Sequence, residues 1–458
     1  MGAIAVARRL DGLPLALSTA GAYLRQTADS FDNYLKIYTN SWDKLGQYSN
    51  KLLDYDQERT LYSTWNISFT RVQAQDSAAA ELLRLMAYFD NEDLWYELFQ
   101  AGQGDQPEWW AEVARSKLRF NDAIMTLHEY SLVEIRKESF SLHACVHDWI
   151  MGRLNQSFDD QLWELAVRCI AQSVRWDTEV EYGMWNRRLL QHVRRVMLVQ
   201  RSEIGLGKVE PSHFSNLAYL YHHLGQSTEA EQMYIRALHG YEKAWGPDHT
   251  LTLDTVSNLG RLYIDQSRLV DAEQMLTRAL QGMERALGQE HTSTLSTVNN
   301  LGLLYTGQDK LDAAEKMYQR ALQGREKALG PEHTATLDTV NNLGLLYANQ
   351  GKLDAAEKMY QRALQGREKA LGPEHTATLD TVTNLGALYV DQGKLDAAEK
   401  LYQRALQGYE KAWGSEHTST LDTVNNLGLL YKNQSQLDLA EKMYQRALQG
   451  YEKALGRE

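Results

Sequence analysis

Apolar positions in residues 212–458 recur with two nested periods. In the stretch 340–364, Val340, Leu343, Gly344 and Tyr347 fall at i, i+3, i+4 and i+7, which makes one stripe along a helix. Leu353, Ala356, Tyr360, Ala363 and Leu364 make a second stripe, and Gly351 separates the two. Asp354-x-x-Glu357 reads as a capping box that opens the second helix, and Gly372-Pro373 closes it. The same pattern returns every 42 residues: Asn216, Asn258, Asn300, Asn342, Asn384 and Asn426 each begin a near-identical phrase, with Ala-Leu pairs from Ala237 to Ala447 in register. A two-helix hairpin has one wet side, so neighbouring copies must supply the other half of the core. The spacing therefore predicts a repeat array and not a globular enzyme core.

The phrase Val340-x-x-Leu343-Gly344-x-x-Tyr347, followed by Ala356-x-x-x-Tyr360-x-x-Ala363, resembles the tetratricopeptide (TPR) signature, with Val for Trp, Tyr for Phe and no terminal Pro. The longer unit, with Ala-Leu-Gly-Pro-Glu-His between copies, is similar to the kinesin light chain variety. The resemblance implies a right-handed TPR α-solenoid whose first helices line a concave groove. Positions that vary between copies on that face become ligand candidates: Ser257, Asn299, Asn341, Thr383 and Asn425 in one series, Arg261 and Leu345 in another, with Asp338 and Asp380 alongside. Asn pairs a donor with an acceptor and grips an extended peptide backbone, so the expectation is a protein or peptide ligand of basic or polar character. Solvated surface is the alternative. His249, His291, His333, His375 and His417 recur in every loop between copies, which points to helix entry and packing, and Trp245 and Trp413 read as core variation.

Ahead of the array, residues 4–10, 15–24 and 34–45 read as helices, with Asp11-Gly12-Leu13-Pro14 as a turn. The pattern stays helical from 61 to 132, then alternates through 132–144 as in a small β-hairpin, and is helical again from 158 to about 201. Gly12-Leu13-Pro14-Leu15-Ala16-Leu17 resembles the GLPL region of NB-ARC domains, and helices ending in a hairpin before Val146-His147-Asp148 resemble the winged helix of fungal NB-ARC proteins with TPR tails. The chain is thus expected to be mainly α: an NB-ARC remnant over 1–55, a winged helix over 56–155, a helical linker over 156–211 and six repeats over 212–458. The resemblance places Pro14 against adenine and His147 at the phosphates of ADP. The sequence contains no Gly-x-x-x-x-Gly-Lys-Ser/Thr loop to cradle those phosphates, so both are read as remnants with structural roles and no cofactor is expected. His143, Cys145 and His147 would share a face on a strand, but His-x-Cys-x-His is not an established zinc spacing, and no metal is expected.

The chain of 458 residues carries a net charge of −12, and residues 212–458 hold 25 Lys and Arg against 31 Asp and Glu. Nothing offers the basic stripe that phosphate neutralisation needs, so nucleic acid is not expected; the run from Arg187 to Arg195 is read as a solvated helix face. Two unclustered cysteines fit a reducing, cytoplasmic setting. No apolar run reaches the ~20 residues of a membrane span. No catalytic constellation stands out. The reading is a non-catalytic scaffold or sensor from the C-terminal part of an NB-ARC/TPR signalling receptor. A kinesin light chain-like cargo adaptor is the alternative, and an ADP-binding switch a more distant one. The array stops directly after a second helix, which predicts an incomplete product or self-association through the uncapped last repeat.

Overall fold

The structure, a computed structural model, describes residues 2–10, 13–48, 56–102, 107–177, 179, 182–199 and 209–454. The expected turn residues Asp11 and Gly12 lie outside them, as do Gly205, Gly207 and the last four residues. Two compact units divide the chain: Met1–Ser173 with Gln191–Val209, and Val174–Leu190 with Glu210–Glu458.

The first unit holds α1 (Gly2–Arg9), α2 (Pro14–Thr27), α3 (Phe31–Tyr48), α4 (Asp56–Gln75), α5 (Ser77–Met86), α6 (Tyr96–Gln100), α7 (Glu108–Ala114), α8 (Lys117–Glu129), α9 (Ala144–Trp149) and α10 (Asp160–Ser173). The expected hairpin is there but short: β1 (Glu134–Ile135) pairs antiparallel with β2 (Phe140–Ser141). Leu94 adds an isolated bridge, exchanging both backbone hydrogen bonds with Phe140 at 2.9 and 2.8 Å. Alternation does not carry on to Ala144, because His143 ends the extended run and caps α9, its ring accepting from Cys145 N–H at 3.3 Å. The rings of Phe99, Phe120 and Phe140 pack 5.5–6.0 Å apart behind the hairpin. Asp76 caps α5 and is also gripped by both terminal nitrogens of Arg119 at 2.8 and 2.9 Å, tying α5 to α8.

The second unit is the array. Its six hairpins are α12 (Pro211–His223) with α13 (Ser227–Trp245), α14 (Thr250–Asp265) with α15 (Leu269–Leu287), α16 (Thr292–Gly307) with α17 (Leu311–Leu329), α18 (Thr334–Asn349) with α19 (Leu353–Leu371), α20 (Thr376–Asp391) with α21 (Leu395–Trp413), and α22 (Thr418–Asn433) with α23 (Leu437–Ala454). Each recurring histidine is the N-cap of a first helix; His333, for example, accepts from Ala335 N–H at 3.2 Å. That bond needs a neutral imidazole, since a protonated ring has no acceptor.

Each core cluster spans a seam. Ala356 and Tyr360 of the fourth copy join Leu385 and Leu388 of the fifth. Within a hairpin the helices touch at glycine: a Cβ on Gly344 would lie 2.7 Å from the Tyr360 ring. The capping box expected at Asp354-x-x-Glu357 does not form. The helix begins at Leu353 with Lys352 as N-cap and no side-chain cap. Glu357 instead accepts from Tyr389, Gln392 and Lys394 of the next copy at 3.1, 3.0 and 3.2 Å, a seam bond that outcompetes a local one.

The stretch 158–201, expected to be helical throughout, is interrupted. Helix α10 ends at Ser173, and α11 (Tyr182–Val199) begins only after a non-helical connection. Val174–Leu190 belongs to the array's unit.

Candidate polypeptide-binding channel

The first helices α14, α16, α18, α20 and α22 run side by side, each touching the next. They are the helices expected to line a concave face. The turn is tight enough that the first and sixth copies meet: His417 Nε2–H donates to the His223 carbonyl at 3.1 Å, while its Nδ1 accepts from Ser419 N–H.

Three members of the asparagine series are buried between these helices. Asn299 and Asn341 are 6% and 7% exposed, and Ser257 is 5% exposed. Asn342 Nδ2 donates to Asn299 Oδ1 and Asn384 Nδ2 donates to Asn341 Oδ1, both at 3.3 Å, while Asn300 reaches Ser257 Oγ at 3.4 Å. These side chains tie each first helix to the next. A helix flanked on both sides by equivalents of itself buries a wider arc than the stripe alone suggests. Asn425, in the last copy, is exposed, and Thr383 is half-buried beside Tyr409.

The other candidates are also engaged. Arg367 Nη2 donates to Asp338 and Tyr409 Oη donates to Asp380, so neither carboxylate is a free anchor for a basic ligand. Burial pushes the Asp380 carboxyl up from its ordinary range. Arg261 bonds Asp265 at 3.3 Å, and Asp265 also takes His222 at 2.8 Å. Leu345 packs on the Ala356–Tyr360–Leu385–Leu388 cluster.

The chain's own segment Val174–Leu190 packs on the array, against a first helix, an inter-copy loop and the end of a second helix. Asp177 N–H donates to Tyr219 Oη at 2.8 Å, and the Trp176 ring lies 4.4 Å from that of Tyr219. Tyr182, the first residue of α11 and 4% exposed, bonds Thr376 Oγ1 at 2.5 Å. Its ring stacks on His375 at 5.4 Å and meets the edge of Trp413 at 5.2 Å. Gly183 comes so close to α21 that a Cβ would lie 3.1 Å from the Trp413 ring and 3.2 Å from the Ala412 carbonyl. The segment is braced internally: Asn186 accepts from Arg175 N–H at 3.0 Å and donates to Arg175 O at 2.8 Å, with the Arg175 guanidinium 3.7 Å from the Trp185 ring.

Beside it lies a cavity of about 290 Å³, lined by Tyr182, Gly183, Met184, residues 371–376, Gly408, Lys411 and Ala412. Burial holds the His223 ring down to about 3, and it lowers His375 and His417 as well, so the imidazoles around Tyr182 are neutral. Sequence reasoning missed Tyr182, Tyr219, His375, Thr376 and Trp413 as one constellation. Trp413, 7% exposed, is buried as expected and packs edge-on against Tyr182, while Trp245 is 52% exposed, stacks on Tyr241 and is not core. A Trp that replaces Leu in the copy nearest the seat was the available signal.

The tetratricopeptide repeat family profile matches residues 210–285, 293–369, 336–411 and 379–453, just over half of the chain. The chain belongs to the tetratricopeptide repeat family. A relative, a nucleotide-binding leucine-rich repeat (NLR)-like protein of Hyaloscypha variabilis, is 30% identical over 268 residues, which is 55% of this chain and 25% of that protein. The chain thus spans about a quarter of the relative's length. This relationship accords with the resemblance to fungal NB-ARC/TPR proteins. Among solved structures, an array of nearly identical TPR-like repeats from a Podosopora anserina kinesin light chain-type protein is 22% identical, with a TM-score of 0.36, covering 45% of this chain and 98% of that one. A STAND protein with a TPR sensor from Pyrococcus horikoshii is 14% identical with a TM-score of 0.44, covering 96% and 68%.

The nucleotide residues do not fit a site. Pro14 is exposed at the start of α2. His147 is 4% exposed in α9, where Nε2–H donates to the Phe89 carbonyl at 2.9 Å, and burial lowers its pKa. A ring held this way has no free donor for a phosphate. His143 and Cys145 likewise share no strand face with His147, since helix α9 turns the spacing through about 200°. Among the described residues no helix is long and apolar enough to cross a membrane.

Proposed function

We propose that this chain is the sensor part of an NB-ARC/TPR signalling receptor, a non-catalytic scaffold that binds a polypeptide in the inner channel of its TPR array. One observation carries the reading. The array packs one polypeptide segment of its own chain, through a backbone donor to Tyr219 and a ring enclosed by His375, Thr376 and Trp413. A surface that satisfies one extended segment has the donors, acceptors and apolar recesses that another would use. The binding residues proposed are those of this constellation, in place of the asparagine series. His147 serves to join α9 to the Phe89 turn, and no cofactor takes part. The setting proposed is the cytoplasm, with no nucleic-acid or membrane partner.

A peptide library displayed on phage and selected against the immobilised full chain tests this. Ala387, exposed on α20 at the position equivalent to Tyr219, carries the discriminating variant. Selected peptides should lose binding to Ala387→Arg and keep it to Lys358→Glu, which alters an exposed residue of second helix α19. Peptides that bind both variants alike would refute the inner channel as the site.

A further inference from the structure

Two contacts with the same offset join the array to itself across one superhelical turn. Tyr182 bonds Thr376, and His417 bonds the His223 carbonyl, each pair 194 residues apart. The second contact rests on one ring with opposite duties at its two nitrogens. Nε2–H donates to the first copy at 3.1 Å, and Nδ1 accepts from Ser419 N–H at 3.2 Å as the N-cap of α22. Only the neutral Nε2–H tautomer satisfies both. A proton added at Nδ1 sets donor against donor at Ser419. The ring is rigid, so a rotation that relieves Nδ1 also takes Nε2 away from His223. His333 caps α18 in the same way and is exposed.

The groups around this junction do little for an added charge. Trp413 stacks on the His417 ring at 5.0 Å, and Asp422 of α22, which accepts from Tyr451, is the carboxylate that acts on it. Across the junction stands the His223 ring, 4.1 Å from that of Tyr219 and 6.2 Å from that of Tyr182. Beyond it His222 and Arg261 both bond Asp265. Trp413 and Asp422 favour an imidazolium, but burial outweighs them and lowers His417, and it holds His223 down to about 3. The seam cores, built of Ala, Leu and Tyr, hold no group that titrates between pH 4 and 7. We infer that the junction between the first and sixth copies is a proton-operated latch, closed by neutral His417 and released when that ring is protonated, while the hairpins stay folded. It does not depend on which polypeptide the array binds. The closed ring takes its proton less readily than the released one, so closure is complete above about pH 6.5 and weakens below it. A one-proton latch loses up to about a factor of ten in its closed-to-open ratio for each pH unit below that point.

The test measures the separation across the junction in the full chain. Thr228→Cys and Ser415→Cys place spin labels at exposed positions on its two sides, with exposed Cys145 replaced by Ser, and double electron–electron resonance reads the distance. One short separation should dominate at pH 7.5, and a longer one should grow about tenfold by pH 5 with the far-ultraviolet circular dichroism unchanged. His417→Asn keeps an acceptor for Ser419 N–H but is too short for the His223 carbonyl, so it should show the longer separation at both pH values. His333→Asn, the same change at another cap, should behave as wild type. A separation that does not change between pH 7.5 and 5 overturns the latch, and this wild-type titration decides the matter if His417→Asn does not fold. Helix loss in step with the distance change overturns it as well, because the array would then be unfolding. A His417→Asn chain that closes at pH 7.5 and opens at pH 5 as wild type does overturns the role of His417.

Discussion

Replacing Asn341 with Ala separates two accounts of the same row of residues. If the side chain gripped a ligand, its loss would weaken binding and spare the fold. The structure assigns it to the seam between the fourth and fifth copies, where its Oδ1 takes Asn384 Nδ2 at 3.3 Å and the residue is 7% exposed. That bond is long, so its net worth lies near the low end of the usual range. The greater cost comes from the half-buried Asn384 amide left without its acceptor, and the two together amount to ~1–2 kcal/mol. Asn425 occupies the same position in the last described copy and is exposed. Its replacement should stay within about 0.5 kcal/mol, as for other surface changes. Urea unfolding of the full chain, followed by far-ultraviolet circular dichroism, reads both. Asn341→Ala should lower the midpoint clearly and Asn425→Ala hardly at all, with phage-selected peptides binding both as they bind wild type. An unchanged midpoint for Asn341→Ala together with weakened peptide binding would refute the seam assignment.

Two other outcomes follow from the packing and the buried imidazoles. Gly344→Ala gains about 1 kcal/mol of helix propensity but sets a Cβ 2.7 Å from the enclosed Tyr360 ring, which costs roughly 1–3; thermal melting should show net destabilisation, and a raised melting temperature would contradict the close approach. His223, held down to about 3 by burial, and His375 and His417, lowered for the same reason, bind fewer protons folded than unfolded. Their stabilisation is complete above an unfolded pKa of about 6.5 and is lost as pH falls from there towards 3, so the melting temperature should drop across that window. Burial raises Asp380, whose contribution has the opposite sign, so His417→Asn, which keeps a capping acceptor, should flatten part of the decline if the histidines cause it. A melting temperature independent of pH between 6.5 and 4 would count against neutral, enclosed rings.

The hairpins were legible because 42-residue phasing places Leu343, Gly344, Tyr347 and Tyr360 in every copy, and a stripe repeated six times leaves one way to bury it. The recurring histidines were legible for the same reason, as features shared by every helix entry. Positions whose environment is set by the neighbouring copy were misread. Asn341 looks like surface on one helix and is interior between two; Glu357 looks like a capping residue and serves the next copy. Asp338 and Asp380 looked free because their partners, Arg367 and Tyr409, sit 29 residues away on the second helix. That second-helix position reads Tyr241, Met283, Arg325, Arg367, Tyr409 and Tyr451, and its variation alongside Ser296, Asp338 and Asp380 was a visible hint of pairing. The seat of Tyr182 could not be read from any local period. It joins Tyr182 to Thr376, 194 residues away, through a hydroxyl, and to His375 and Trp413 through an imidazole face and an indole edge.

The most direct measurement puts the photoreactive residue p-benzoylphenylalanine at position 182 of the full chain and maps its cross-links by mass spectrometry. The account predicts intramolecular products on the peptides that contain His375, Thr376 and Trp413. Cross-links confined to other parts of the chain, or formed only between chains, would contradict an array that packs segment Val174–Leu190 against its fifth copy.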